Sequence, residues 1–197
     1  DGRFHGKSGD EALAAAEDFA RSTGAVLIHP FDNADIVAGQ GTVGLELVDA
    51  MPEVRTVVVP AGGGGLLAGV AVAVKAYNPS IRVIGVQAEQ VAAYPPSLAA
   101  GTPTALPWMP TMADGIAVGR PGDIPFAIVR DLVDEVRTVT EDEVSRAVLL
   151  LLERAKLVVE PAGAAAAAEV LARPGGVEPP VAVVLSGGNV DSLVLLR

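Results

Sequence analysis

The chain has 197 residues, half of them hydrophobic and none of them cysteine, so it can bury a large core but excludes thiol catalysis, disulfides and cysteine-ligated zinc. Its net charge of −10 disfavours nucleic acid and anionic membrane surfaces as partners, because both select basic patches. No apolar stretch has the length of a membrane span and the N-terminal residues do not resemble a signal peptide, which predicts a cytoplasmic protein that acts on small molecules.

The first predicted helix begins at Ser8, which forms an S-x-x-E capping box with Glu11, and it ends at Gly24. Residues 25–28 are apolar and are predicted to form a short buried strand. A second helix is predicted over residues 42–50, followed by an apolar strand over residues 56–60. This alternation indicates an α/β fold.

Four consecutive glycines, here called the glycine turn, follow that strand: Gly62, Gly63, Gly64 and Gly65. Without Cβ atoms the backbone can adopt φ > 0 and bring several N–H groups together, and the helix that starts at Leu66 adds unpaired donors and a positive dipole end. This arrangement is typical of a phosphate site. A nucleotide-binding P-loop has a lysine and then a serine or threonine directly after its glycines, and this chain has neither there. The turn therefore favours the monophosphate of a cofactor over a nucleotide. A ligand-free connection is the alternative, but four glycines are costly in conformational entropy.

The remaining elements repeat the alternation of helices and strands. A proline-rich loop over residues 94–112 indicates a lid, a subunit contact or a plain surface excursion. A second capping box, Thr140 with Glu143, opens a helix through Arg154, and Pro161 begins an alanine-rich helix. The other predicted elements are a helix over 66–77, a strand over 81–86, a helix over 124–132, and strands over 135–139 and 181–185. Together they predict a parallel sheet.

The segment from Gly39 to Gly44 matches the dinucleotide-binding pattern G-x-G-x-x-G. That fingerprint requires a strand before it and an acidic residue at the end of the next strand. Residues 32–38 do not have the pattern of a strand, and the next strand ends in Pro60. We therefore interpret the segment as a helix start that permits close packing, and not as an NAD site.

A second glycine-rich segment, Ser186-Gly187-Gly188-Asn189, follows the last predicted strand and is here called the serine turn. Ligands of open α/β sheets lie at the carboxyl ends of the strands. Because the glycine turn also follows a strand, both turns are predicted to face one cleft. There the glycine turn would hold a phosphate and Ser186 a polar atom of the same cofactor.

These motifs resemble those of the threonine dehydratase and serine racemase group of fold-type II pyridoxal-phosphate enzymes. The resemblance rests on His29-Pro30-Phe31-Asp32, Ile36-Val37-Ala38-Gly39-Gln40-Gly41-Thr42, Val59-Pro60-Ala61 with the glycine turn, Ala113-Asp114-Gly115, Val159-Glu160-Pro161-Ala162-Gly163 and the serine turn. It implies an incomplete three-layer parallel-sheet fold of the tryptophan-synthase-β-like class. Residues 1–29 would be a remnant of the small domain, and residues 30–197 the main part of the large cofactor-binding domain.

The resemblance also implies roles for individual residues toward pyridoxal 5′-phosphate. Backbone N–H groups of Gly62 to Gly65 and Leu66 would hold the phosphate, and Ser186 would hydrogen-bond the pyridine nitrogen. Phe31 and Gly115 would line the cofactor, and Glu160 would stand near the edge of its ring. Related enzymes sometimes bind a divalent cation after the strand over 81–86, where this chain offers only Glu89 and carbonyl groups, so at most weak cation binding is expected.

Members of the group form a Schiff base through a lysine in a Ser-x-Lys-x-Arg-Gly-Ala context. None of Lys7, Lys75 and Lys156 has that context, so we expect a C-terminal part that carries no catalytic residue and is inactive alone. For the parent protein the resemblance implies an L-threonine or L-serine ammonia-lyase that forms a homodimer or homotetramer. A serine or aspartate racemase is the alternative, and a phosphate-binding or oligomerisation module without activity is a third possibility.

Overall fold

The structure is a computed structural model that describes residues 5–6, 9–107 and 109–191. Within these residues one four-stranded sheet has the order β3-β2-β1-β4, where the strands are β1 (Thr56–Pro60), β2 (Arg82–Ala88), β3 (Glu135–Val139) and β4 (Val181–Val183). All three strand pairs are parallel, which confirms the predicted sheet. Ser8, the predicted cap of the first helix, lies outside the described residues.

Helices connect the strands and cover both faces of the sheet. They are α1 (Gly9–Thr23), α2 (Ala34–Ala50), α3 (Gly65–Tyr77), α4 (Tyr94–Ala100), α5 (Asp123–Leu132), α6 (Glu141–Leu150), continued by a π-helical turn (Leu151–Ala155), and α7 (Pro161–Ala172). Single 3₁₀ turns occur at Glu89–Val91 and Asp114–Ile116. Across the described part of the chain, no helix combines the length and hydropathy that crossing a bilayer requires.

The strands are buried on both sides, which makes the fold three-layered. Val58 and Ile84 pack with α6 and α7, whereas Val57, Val59 and Val83 pack with α2, α3 and α5. Continuous apolar strands of this kind are typical of parallel sheets covered by helices. The predicted three-layer α/β fold is therefore confirmed.

Parallel pairing places the carboxyl ends of β1, β2 and β4 at one edge of the sheet. Val58 of β1 pairs with Val183 of β4, so the segments that follow the two strands start next to each other. Within three residues β1 continues into the glycine turn and β4 into the serine turn. The topology therefore brings the two glycine-rich segments to the same edge.

Helix α2 begins at Ala34, eight residues earlier than predicted. Asn33 caps it, because its side-chain oxygen accepts hydrogen bonds from the N–H groups of Asp35 and Ile36. The G-x-G-x-x-G segment thus lies inside the helix and not at its start, which corrects that part of the prediction. No strand precedes it among the described residues, in agreement with the interpretation that it is not a dinucleotide fingerprint.

Glycines let α2 and α3 pack in direct backbone contact. A Cβ on Gly69 of α3 would lie 2.6 Å from the amide nitrogen of Gly41 in α2. A Cβ on Gly44 would lie 2.8 Å from that of Ala73 and 3.0 Å from the carbonyl oxygen of Val70. The close-packing role predicted for the motif is therefore observed, and two of its three glycines take part in it.

We expect Gly69→Ala to lower the free energy of unfolding by about 1–3 kcal/mol, because the added methyl group forces two backbones apart. Gly39→Ala is the matched control in α2, since a Cβ there would meet nothing within 4 Å. It should be neutral or stabilise the helix by up to about 1 kcal/mol. Urea unfolding of both variants measures the difference, and equal effects would show that the contact between the helices is not tight.

Two further predictions differ from the structure. Residues 25–28 form no strand: no described strand pairs with them, and Val26 and Ile28 are 89% and 71% exposed. The proline-rich loop begins with α4, whose first turn accommodates Pro95 and Pro96 because the N–H groups they lack need no partner there. The second capping box is confirmed, since Thr140 and Glu143 exchange both expected hydrogen bonds.

Candidate functional site

The backbone of the glycine turn is enclosed so closely that side chains do not fit. A Cβ on Gly63 would overlap the ring of Phe31, and one on Gly62 would lie 3.1 Å from the Cα of Ile116. Gly64 has φ of +102°, a conformation that other residues rarely adopt, and its Cβ would overlap the hydroxyl of Tyr94. Neighbouring groups and backbone conformation therefore both require glycine here.

The glycine turn ends at the N-terminus of α3. Gly64 is the N-cap and offers no side-chain acceptor. The N–H of Ala68 donates to the carbonyl oxygen of Gly64, which is the first hydrogen bond of the helix. The N–H groups of Gly65, Leu66 and Leu67 precede that bond at an end where helices lack internal acceptors. Together with the positive end of the helix dipole, these donors favour an anion.

Glu160 holds the serine turn in place. Its carboxylate accepts a hydrogen bond of 2.9 Å from the N–H of Asn189, and its own N–H donates to the carbonyl oxygen of Gly187 at 3.0 Å. A Cβ on Gly187 would lie 2.8 Å from the carboxylate carbon of Glu160. Ser186 itself is exposed, so its hydroxyl is accessible from the edge of the sheet.

The two turns line one cleft of about 790 Å³. All predicted cofactor-binding residues contribute to its lining, namely Phe31, Gly62, Gly63, Gly64, Gly65, Leu66, Gly115, Glu160 and Ser186. Glu89 is not part of the lining; it is exposed in the turn after β2. The described residues contain no group of three or more His, Cys, Asp or Glu that could hold a metal, and weak binding at Glu89 stays a prediction.

Several residues that sequence reasoning did not single out also border the cleft. They include Ala12 and Leu13 of α1, and Thr111. Thr111 and Met112 are held by Glu141, whose carboxylate oxygens accept from the Thr111 hydroxyl at 2.5 Å and the Met112 N–H at 2.8 Å. Glu141 follows directly after Thr140 of the predicted capping box, but nothing in the local pattern indicates a partner thirty residues earlier.

The two lysines among the described residues, Lys75 and Lys156, stand apart from the cleft. Lys75 of α3 pairs with Asp134 at 2.8 Å, and Lys156 donates to the carbonyl oxygen of Glu153 at 2.7 Å. Neither of them lines the cleft. Lys7 lies outside the described residues. The described part of the cleft therefore carries no lysine that could bond to a cofactor.

The geometry suits a small phosphorylated ring. Neighbouring groups exclude side chains from the glycine turn, so it offers only backbone groups to the cleft, which matches a phosphate, and the hydroxyl of Ser186 borders the same cleft. A neutral hydroxyl can donate to or accept from a ring nitrogen. These residues fit pyridoxal phosphate, whose phosphate and pyridine nitrogen lie at separate positions of the molecule.

Among known proteins, this chain is similar in sequence to threonine ammonia-lyases and threonine dehydratases. An L-threonine ammonia-lyase from Thermotoga maritima is 49% identical over 182 residues, which are 92% of this chain and 45% of that protein. The catabolic L-threonine dehydratase TdcB of Escherichia coli K12 is 41% identical over 193 residues, 95% of this chain and 58% of that protein. The chain thus spans about half the length of these curated relatives.

Solved structures agree in fold. A threonine deaminase from T.th. superposes with a TM-score of 0.88 at 41% identity, covering 94% of this chain and 62% of that one. Maize serine racemase superposes with a TM-score of 0.89 at 37% identity, covering 98% and 60%. The family model for pyridoxal-phosphate dependent enzymes matches residues 3–187. Sequence, fold and cleft agree, and the chain belongs to the family of pyridoxal-phosphate-dependent enzymes.

Proposed function

We propose that the full-length protein is a pyridoxal-phosphate-dependent ammonia-lyase that converts L-threonine or L-serine to a 2-oxo acid and ammonia. The observation that carries the proposal is the pairing of the glycine turn and the serine turn across one cleft. The names of the relatives favour a lyase, since the threonine ammonia-lyase is 49% identical and maize serine racemase 37%.

Each part of the cleft has a proposed task. The N–H groups of the glycine turn and Leu66 hold the phosphate, and the hydroxyl of Ser186 bonds the pyridine nitrogen. Phe31 and Gly115 flank the cofactor. Glu160 lies near the edge of the ring and keeps the serine turn in register through its bond to Asn189.

When bound, pyridoxal phosphate withdraws electrons and makes the α-hydrogen of an amino acid acidic. Ser186 keeps this withdrawal moderate, because a hydroxyl does not force the ring nitrogen to be protonated as a carboxylate would. Proton removal from the α-carbon, loss of the β-hydroxyl as water and hydrolysis of the resulting imine give the 2-oxo acid and ammonia. The lysine that removes the proton is not among the described residues, so this chain supplies binding and orientation.

Domain boundaries and assembly belong to the same proposal. Residues 1–29 are assigned to the small domain and residues 30–197 to the large one. This division is supported by residues 25–28, which form neither helix nor strand and separate α1 from α2. A homodimer or homotetramer and a cytoplasmic location are proposed from the family resemblance.

The reaction is tested by incubating the full-length protein and its cofactor with L-threonine and with L-serine. A lyase releases ammonia and 2-oxo acid in equal amounts. Formation of D-serine without ammonia would support the racemase instead. A protein that retains pyridoxal phosphate but forms neither ammonia nor D-serine would contradict both the lyase and a serine racemase.

Ser186→Ala tests the ring contact. We expect the loss of one buried hydrogen bond in the loaded site, about 1–3 kcal/mol, to weaken cofactor binding about 5- to 150-fold and to lower turnover. Ser22→Ala is the control, because the Ser22 hydroxyl is exposed on α1 and bonds a carbonyl oxygen of its own helix. Equilibrium dialysis and the absorbance spectrum of the bound cofactor report the result. Unchanged binding, turnover and spectrum in Ser186→Ala would show that Ser186 does not bond to the cofactor ring.

A further inference from the structure

Tyr94 is a fully buried polar side chain in contact with the glycine turn. It follows the carboxyl end of β2, where its N–H donates to the buried side-chain oxygen of Gln87 at 2.9 Å. Its ring stacks on Phe126 of α5, with ring centroids 6.4 Å apart and an interplanar angle of 25°. These contacts fix the ring, so its hydroxyl is held at one position in the core.

That hydroxyl contacts the glycine turn from a position outside the lining of the cleft. Its oxygen lies 3.4 Å from the carbonyl oxygen of Gly63, which also accepts a 3.0 Å hydrogen bond from the N–H of Gly122. Tyr94 and Gly122 do not line the cleft, whereas Gly63 and Gly64 do. The Gly63 carbonyl therefore accepts a hydrogen bond from Gly122 and a longer one from Tyr94, and neither donor lines the cleft.

Holding this carbonyl also orients the N–H that follows it. In a planar trans peptide the C=O of one residue and the N–H of the next point in opposite directions. With the Gly63 oxygen directed toward Tyr94 and Gly122, the Gly64 N–H must point away from them. The hydroxyl also occupies the space that a Cβ on Gly64 would need.

The phenol is suited to this task because it stays neutral. Burial, assisted by the negative charge of Asp32, raises the pKa of the Tyr94 hydroxyl above its ordinary value. It therefore remains a donor throughout the physiological range. Asp32 is itself engaged, since its carboxylate accepts from the N–H groups of Asp123 and Ile124 at the start of α5.

We propose that Tyr94 is a positioning residue that holds the Gly63–Gly64 peptide in the orientation required to bind a phosphate dianion. The inference deepens the proposed function and rests on it for the identity of the phosphate compound. A tyrosine that only fills the core would act through its ring alone. The two roles separate in Tyr94→Phe, which keeps the ring and removes the hydroxyl.

The test compares Tyr94→Phe with the wild type in the full-length protein after removal of the cofactor. Affinities for pyridoxal phosphate and for inorganic phosphate are measured by equilibrium dialysis, and the ³¹P NMR shift of the bound phosphate is recorded. We expect Tyr94→Phe to weaken both affinities about 3- to 10-fold, the value of one neutral hydrogen bond, and to move the ³¹P signal. Tyr77→Phe is the control, because Tyr77 is half exposed at the end of α3.

The outcomes distinguish this inference from the proposed function. Wild-type protein that binds phosphate but releases no ammonia from threonine or serine would refute the lyase, while a loss of phosphate affinity in Tyr94→Phe would still support the positioning role. An active wild type together with unchanged affinities and ³¹P shift in Tyr94→Phe would overturn the role of Tyr94 alone. Absence of phosphate binding in the wild type would overturn it as well. Urea unfolding checks that Tyr94→Phe remains folded.

Discussion

Gly64→Ala is expected to weaken the binding of pyridoxal phosphate about 30-fold or more in the full-length protein, the largest effect that we predict for a single methyl group. Alanine in the left-handed backbone of Gly64 costs about 1–2 kcal/mol, and overpacking against a buried neighbour costs a further 1–3 kcal/mol. The neighbour is the hydroxyl of Tyr94, whose ring carbon Cζ would lie 2.9 Å from the new Cβ. Relief of this clash turns the peptide that presents the phosphate donors.

The backbone cost can be measured separately at Gly101. This residue ends α4 with φ of +72°, and a Cβ there would meet nothing within 4 Å. Gly101→Ala should therefore lower the free energy of unfolding by about 1–2 kcal/mol and leave cofactor affinity unchanged. Equilibrium dialysis and urea unfolding of the two variants provide the comparison. If Gly64→Ala and Gly101→Ala bind the cofactor equally well, the glycine turn does not bind the phosphate.

The glycine turn shows how much of the site could be predicted from local sequence. Four glycines between an apolar strand and a helix indicate an anion site without knowledge of any distant residue, and the second turn after β4 indicates a shared cleft through the parallel sheet. The supports of the turn could not be predicted in this way. Tyr94 and Gly122 lie about 30 and 60 residues further along the chain, and both donate a hydrogen bond to the carbonyl oxygen of Gly63.

Errors in the predicted elements also have local causes. Asn33 is of a type common both in turns and at helix starts, so the sequence of residues 32–38 suggests irregular structure although Asn33 caps α2. Residues 25–28 have the apolar composition of a strand, but a strand also needs a partner, and none pairs with them among the described residues. The predicted bounds of β1 and β3 match the observed ones because turn or capping residues delimit both strands.

A second long-range feature that the sequence did not indicate is a cluster of ion pairs around one buried carboxylate, Glu169, between α7 and β3. Glu169 of α7 is completely buried; one carboxylate oxygen accepts from Arg137 of β3 at 2.9 Å, and the other pairs with Arg173. Arg137 also donates to Glu135 at 2.6 Å and to the carbonyl oxygen of Gly176 at 3.1 Å. The hydrogen bond to Glu135 is the main reason that the pKa of Arg137 is raised, so this guanidinium remains charged.

Removing Glu169 would take a buried partner from both Arg137 and Arg173, although Arg137 keeps its bond to Glu135. We expect Glu169→Ala to lower the free energy of unfolding by about 2–4 kcal/mol, because two hydrogen bonds to a buried carboxylate are lost while both arginines keep another carboxylate partner. Glu178→Ala is the matched control: Glu178 pairs with Arg55 at 2.6 Å, but both side chains are more than half exposed, and such a pair is worth at most about 1 kcal/mol. Urea unfolding measures both variants, and Glu169→Gln, which keeps the shape but not the charge, should lie between them. Similar losses for Glu169→Ala and Glu178→Ala would mean that water replaces the Glu169 carboxylate at Arg137. The cluster would then contribute little to fixing α7, and with it Glu160 and the serine turn, against the sheet.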